Sequence, residues 1–97
     1  MTKYYVYIIR CEKWKGGTYQ KDLYYTGMTS NVKKRLAEHK SGVKSNWMQN
    51  NNISPKDLVY VEFVGTDYFI TLRREKQIKQ MSLKKKLEMI DIYNRNI

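Results

Sequence analysis

The sequence predicts an α+β fold, a small three-stranded antiparallel sheet flanked by helices, and three observations carry that prediction. Tyr4–Cys11, Leu23–Met28 and Leu58–Val64 are rich in aromatic and β-branched residues, the composition of strands. Asn31, Asp67 and Ser82 each stand as a helix cap before a stretch with apolar residues at helical spacing. The resulting order, β, β, α, loop, β, α, α, describes a sheet sandwiched between helices.

In the first run both alternating sets are largely apolar, with Tyr5, Tyr7, Ile9 and Cys11 on one face and Tyr4, Val6 and Ile8 on the other. That pattern belongs to a central strand covered on both sides. Trp14–Lys21, with Gly16 and Gly17, reads as a polar connection to the second strand, so the pair is expected to form a hairpin with a long loop. Asn31 caps a helix from about Val32 to Ser41, with Val32 and Leu36 facing the core and Gly42 at the C-terminal stop. Residues 43–56 are the least periodic and hold the one proline, Pro55, so a short helix or turn around Trp47 and then a loop are expected. After the third strand, Gly65 and Asp67 make the turn and cap of a helix over Tyr68–Met81. Ser82 caps a last helix with Leu83, Leu87, Ile90 and Asn94 along one side.

The chain has 97 residues, 41% of them hydrophobic, enough for one compact core, so residues 1–97 read as a single domain. Nineteen Lys and Arg against nine Asp and Glu give a net charge of +10, and a field of that size calls for a polyanionic partner. No apolar run approaches the roughly 18 residues of a spanning helix, and no lipidation signal is present, so nucleic acid is preferred over a membrane. Met1 leads into Tyr4–Ile9 without the blocks of a signal peptide, and Cys11 is the sole cysteine. An intracellular, cytoplasmic setting with no disulfide-linked partner is expected, and Cys11 reads as a small buried residue without a catalytic role.

Six of the nine tyrosines, Tyr4, Tyr5, Tyr7, Tyr19, Tyr24 and Tyr25, fall near the N-terminus, and strand tyrosines are ordinarily core residues with a tethered hydroxyl. Arg35 and His39, four apart, share one helix face, slightly rotated from the Val32/Leu36 stripe and looking out beside the sheet edge. A solvated basic face is the alternative, since Lys33, Lys34 and Lys40 lie on the same helix. His39 is the sole histidine, which rules out multi-histidine metal sites and two-histidine phosphotransfer. Glu75 lies three residues from both Leu72 and Ile78, so it projects into the apolar stripe of its helix. An inward carboxylate needs a partner: an ion pair with an inward Arg is one solution, a hard cation such as Mg²⁺ another.

Taken in order, Tyr5-Val6-Tyr7, Tyr25-Thr26-Gly27, Arg35 in Val32–Leu36, Glu38-His39 with Gly42, the strand Leu58–Glu62 and the segment Arg73–Lys79 resemble the GIY-YIG endonuclease superfamily. The resemblance is to its small single-domain members, related to the nuclease domain of the bacterial excision-repair endonuclease, and it spans about residues 4–91. The chain departs from the motifs at Tyr5 (Gly in the family), Val6 (Ile) and Thr26 (Ile), while both signature tyrosines and Gly27 are kept. The Arg10–Leu23 connection is longer than in small members, and Ser45-Asn46-Trp47 replaces a basic and aromatic stretch.

The resemblance implies a GIY-YIG nuclease-like α/β sandwich. It also implies a shallow site for one phosphodiester built from Tyr7, Tyr25, Arg35, His39 and Glu75. Glu75 would hold one Mg²⁺ or Mn²⁺, Arg35 would stabilise charge on the phosphate, and Tyr25 would orient water or phosphate. Tyr7 or His39 would be the general base; for Tyr7, with an ordinary pKa of about 10, that requires positive neighbours that stabilise its phenolate. Lys33, Lys34, Lys44, Arg74, Lys76 and Lys79 flank the site as expected backbone contacts. The implied function is metal-dependent hydrolysis of DNA, structure-selective or nicking, in repair or recombination. The alternative is a basic nucleic-acid-binding module of the same fold that does not cut. A monomer and a dimer are both compatible with the sequence.

Overall fold

The computed structural model describes residues 1–15, 17–42, 46–50 and 52–96. Lys44, an expected backbone contact, and the side chain of Trp47 lie outside the described residues. Strands β1 (Tyr4–Lys15), β2 (Thr18–Thr29) and β3 (Ile53–Gly65) form one antiparallel sheet in the order β2-β1-β3. Helices α1 (Val32–Lys40), α2 (Asn46–Asn50), α3 (Tyr68–Lys79) and α4 (Leu83–Arg95) complete an α+β sandwich.

As the two apolar faces of β1 require, the central strand is covered on both sides. Tyr7, Ile9 and Cys11 pack with Met48 and Ile53, joined by Leu36 of α1. Val6 and Ile8 pack with Ile78 of α3 and with Met89 and Ile90 of α4. Val6, Ile8, Ile9 and Ile78 are at most 1% exposed, and burial of each such side chain stabilises the fold by about 1.5–3 kcal/mol. Cys11 is fully buried, and that burial pushes its thiol up to about 11, so it carries no thiolate at neutral pH.

All three caps are made. Asn31 accepts from the Lys34 backbone N–H, Asp67 from those of Phe69 and Ile70, and Ser82 from that of Lys85. The left-handed φ of 101° at Gly42 follows α1, a conformation glycine takes without steric cost.

All three strands run further than their composition indicates. The expected polar loop between β1 and β2 is a continued ladder that closes with Lys15 opposite Thr18 and carries a bulge between Cys11 and Lys13. Lys21 and Asp22 there oppose Glu12 alone, and Asp22 absorbs the extra residue at φ 62°, a conformation Asp tolerates. Beyond Cys11 the ladder has no core to face, so its polar residues look like loop. Likewise the segment around Pro55 is strand: β3 is an edge, and Pro55 sits opposite Cys11 at a register shift, where a missing N–H is tolerated.

On α4 the side facing the sheet is Met89, Ile90 and Tyr93, whereas Leu83 and Leu87 are 57% and 40% exposed. Leu83 and Leu87 therefore do not share an inward stripe with Ile90. No helix among the described residues is long and apolar enough to cross a membrane.

Candidate active site

Tyr7 lies in the first half of β1, opposite Gly27 on β2, and Tyr25 lies opposite Ile9. The two tyrosines are thus diagonal neighbours on one face, with ring centroids 6.3 Å apart. A side chain at position 27 would collide with this arrangement, because a Cβ there would lie 2.5 Å from Tyr7 Oη and 3.1 Å from Tyr25 Cε1. Thr26, where the motif has Ile, is 3% exposed, and its Oγ1 has no hydrogen-bond partner among the described residues.

Helix α1 closes over this face. Val32, Leu36 and His39 recur at i, i+4 and i+7, so His39 belongs to the inward stripe itself. It is 1% exposed, which corrects the expectation that it looks out beside the sheet edge. Its ring packs 6.1 Å from that of Tyr7 and 5.9 Å from that of Tyr25. Arg35, one turn earlier, keeps 30% of its side chain exposed and also pairs with Glu38 at 3.6 Å.

Three groups meet at one oxygen. Arg35 Nε donates to Tyr7 Oη at 3.4 Å, and His39 Nε2 lies 3.3 Å from the same atom. Both contacts are long for hydrogen bonds. Arginine has only donors, so Tyr7 Oη accepts from Arg35 and its own O–H is free to donate to His39 Nε2. Burial first, and the Arg35 charge second, push the His39 pKa below its ordinary value of 6.5, so the ring is neutral at pH 7 and can accept. In the tautomer that accepts, the proton sits on Nδ1, which is buried and without a partner among the described residues.

Tyr7 itself is pushed up to about 12. Burial is the largest cause; the Arg35 hydrogen bond works the other way, and the charges of Tyr25 and Glu75 raise the value further. Arg35 therefore stabilises the phenolate as its chemistry requires, but the desolvation of a residue 2% exposed outweighs it.

Glu75 projects from α3 between the fully buried Thr71 and Ile78, with 12% of its side chain exposed. Its Oε1 is 3.4 Å from Lys79 Nζ, a half-exposed lysine one turn on. Among the described residues no three His, Cys, Asp or Glu form a cluster. Glu75 fits a hard cation as a lone protein carboxylate, with substrate and solvent oxygens completing the shell, the manner in which Mg²⁺ is usually held. Among the described residues this carboxylate pairs with one surface lysine, which leaves its other oxygen lone pairs to give.

Of the expected backbone contacts, Lys33, Lys34, Lys76 and Lys79 are exposed. Arg74 is engaged elsewhere: Nε and Nη2 clamp the Glu62 carboxylate at 2.8 and 2.9 Å, and Nη1 donates to Gln77 at 2.8 Å. Tyr60 Oη completes that cluster by donating to Glu62 at 2.6 Å.

A family model of the GIY-YIG catalytic domain matches residues 3–88. The chain belongs to the GIY-YIG family. It is 42% identical to a UPF0213 protein of Syntrophus aciditrophicus (strain SB), over 93% of this chain and 92% of that one. It is 35% identical to a UPF0213 protein of Staphylococcus haemolyticus, over 94% and 98%, and 30% identical to one of Natronomonas pharaonis, over 90% and 89%. No solved structure matches the chain. The GIY-YIG motifs point to Gly27 but not to its reason, which is the space the Tyr7 hydroxyl takes. Nor do they point to Tyr4 and Tyr68, whose rings meet beside Arg35 at 5.8 Å; in the sequence Tyr68 shows only as the first residue of a helix.

Proposed function

We propose that this GIY-YIG protein is a metal-dependent endonuclease that hydrolyses DNA phosphodiester bonds, with Tyr7, Tyr25, Arg35, His39 and Glu75 as its catalytic group. The observation that carries the reading is the meeting of Arg35 and His39 on the Tyr7 hydroxyl, with the Glu75 carboxylate close enough for its charge to act on the same group.

Arg35 holds Tyr7 Oη through Nε and Glu38 through Nη1 in one position, and among the described residues no contact keeps Nη2 from a phosphate. An arriving phosphate binds the guanidinium through Nη2 while Nε stays on Tyr7 Oη, so Arg35 goes on stabilising the phenolate. Tyr7 then takes the proton of the attacking water, its own hydroxyl proton having an acceptor in neutral His39 Nε2. Exposure does not separate His39 at 1% from Tyr7 at 2%; the direct contact of Tyr7 Oη with Arg35, the phosphate-binding group, is what favours Tyr7 as the base. Tyr25 borders the same space and orients water or phosphate. A divalent cation held by Glu75 would supply Lewis-acid stabilisation of the leaving oxygen and offset the carboxylate charge that adds to the effect of burial on the Tyr7 pKa.

Lys33, Lys34, Lys76 and Lys79 contact the phosphate backbone in this reading, and the net charge of +10 supports it. Arg74 is left out, because all its donor nitrogens are committed to Glu62 and Gln77. A site for one phosphodiester cuts one strand at a time, so the activity is nicking or structure-selective, suited to intracellular DNA repair or recombination.

The test is incubation with plasmid, flapped, branched and single-stranded DNA, with Mg²⁺ or Mn²⁺ and with chelator. Cleavage that chelator abolishes is expected. Binding without cleavage on every substrate would leave a non-catalytic nucleic-acid-binding module.

A further inference from the structure

Next to the Tyr7 site lies a hollow of about 550 Å³ between the start of β1, the β2–α1 junction and the first turn of α3. Arg35 belongs to both: its Nε reaches Tyr7, and its side chain lines the hollow. We propose that this hollow takes the base of an unpaired nucleotide adjoining the scissile phosphate, so that the enzyme prefers DNA with a single-stranded flap or end at the cut. The inference rests on the nuclease reading above and specifies its substrate class.

The walls have the chemistry of a base site. Tyr4 and Tyr68 stand edge to face, with centroids 5.8 Å apart and planes at 75°, and Phe69 meets Tyr68 edge to face at 5.5 Å. Tyr68 is 48% exposed and Phe69 74%, a high exposure for aromatic rings that contribute nothing to either core cluster. Stacking a base covers such a ring and is indifferent to which base arrives. The polar wall offers both hydrogen-bonding senses. Asn31 spends its Oδ1 on the Lys34 N–H, which leaves its amide N–H groups as donors, and Glu38 supplies acceptors.

Charge decides between possible occupants. Lys34 and Arg35 against the single carboxylate of Glu38, which pairs with Arg35, give the lining a net positive charge that attracts the phosphate joined to a base. An apolar side chain of a protein partner would gain from the rings but nothing from these cations. A nucleotide with its base inside and its phosphate at Arg35 satisfies both. A base paired in a duplex cannot enter, so the geometry favours an unpaired one.

The test is binding in the presence of chelator, to separate it from cleavage, using flapped DNA with 2-aminopurine as the first unpaired base and a fully paired duplex as reference. Anisotropy reports binding, and 2-aminopurine quenching reports stacking. The wild type is expected to bind the flap more tightly and to quench the probe. Tyr68→Ala is expected to lose the quenching and about tenfold in flap affinity with duplex affinity unchanged, while Tyr68→Phe keeps both. Binding without quenching, or an unchanged flap-to-duplex ratio in Tyr68→Ala, overturns the base site and leaves the nuclease reading intact. Absence of DNA binding by the wild type overturns both.

Discussion

A Cβ on Gly27 would lie 2.5 Å from Tyr7 Oη and 2.6 Å from its Cζ, so the tyrosine hydroxyl fills space that only glycine leaves. Tyr7 is 2% exposed and held by His39 and Arg35, so it has little freedom to yield. Gly27→Ala is expected to destabilise the fold by about 1–3 kcal/mol, as other overpacked cores are. Displacement of the hydroxyl by as little as an ångström should slow cleavage on the order of 10²-fold. Thermal melts and single-turnover rates check the two effects separately; a variant with normal turnover would show that the position of Tyr7 is not critical.

Sequence and geometry divide here in a physical way. The caps at Asn31, Asp67 and Ser82 were legible because each is a local hydrogen bond between a side chain and a backbone N–H three residues on or nearer. The inward setting of Glu75 was legible from its spacing to Leu72 and Ile78. Not legible were arrangements fixed by distant partners. Glu62 captures Arg74 from another element, and the register of β1 against β2 puts Gly27 opposite Tyr7. Asp22 and Pro55 look like loop residues because nothing in a polar sequence tells a bulged or edge ladder from a loop. The five catalytic candidates came together in the sequence through family resemblance alone. The structure joins Tyr7, Arg35 and His39 by contact and Glu75 by charge.

His39 gives the fold a pH dependence whose sign is fixed. Burial lowers its pKa in the folded state below 6.5, so the unfolded chain binds the proton more readily. The contribution is fully present above pH 6.5 and is lost as pH falls through the lower folded value. Melting temperatures from pH 7.5 to 5 should therefore fall more steeply for the wild type than for His39→Asn. Parallel curves would show that His39 does not titrate with unfolding.

Arg74 is expected to behave as a structural residue. Arg74→Met leaves the Glu62 carboxylate without its bidentate partner and should cost about 1–3 kcal/mol, the scale of hydrogen bonds to charged groups. DNA affinity at fixed salt should be unchanged in the folded variant. A drop in affinity and a shallower salt dependence without loss of stability would return Arg74 to the backbone contacts.

Glu75→Gln keeps the shape of the side chain but removes the charge. Cleavage at ordinary Mg²⁺ is expected to disappear, with DNA binding retained. Isothermal titration with Mn²⁺ gives a second readout, in which the binding seen with the wild type should be lost. A variant that still cuts in a metal-dependent way would remove Glu75 as the cation ligand.

The central claim is that Tyr7 is the proton acceptor for the attacking water. Tyr7→Phe preserves the ring and its packing and removes only the oxygen on which Arg35 and His39 converge. The decisive measurement is the single-turnover rate of DNA cleavage by Tyr7→Phe beside the wild type, at saturating protein and Mg²⁺. A loss of roughly 10²–10⁴-fold, the range of general-base catalysis, is expected, with DNA affinity nearly unchanged. A rate within a few-fold of wild type would contradict it.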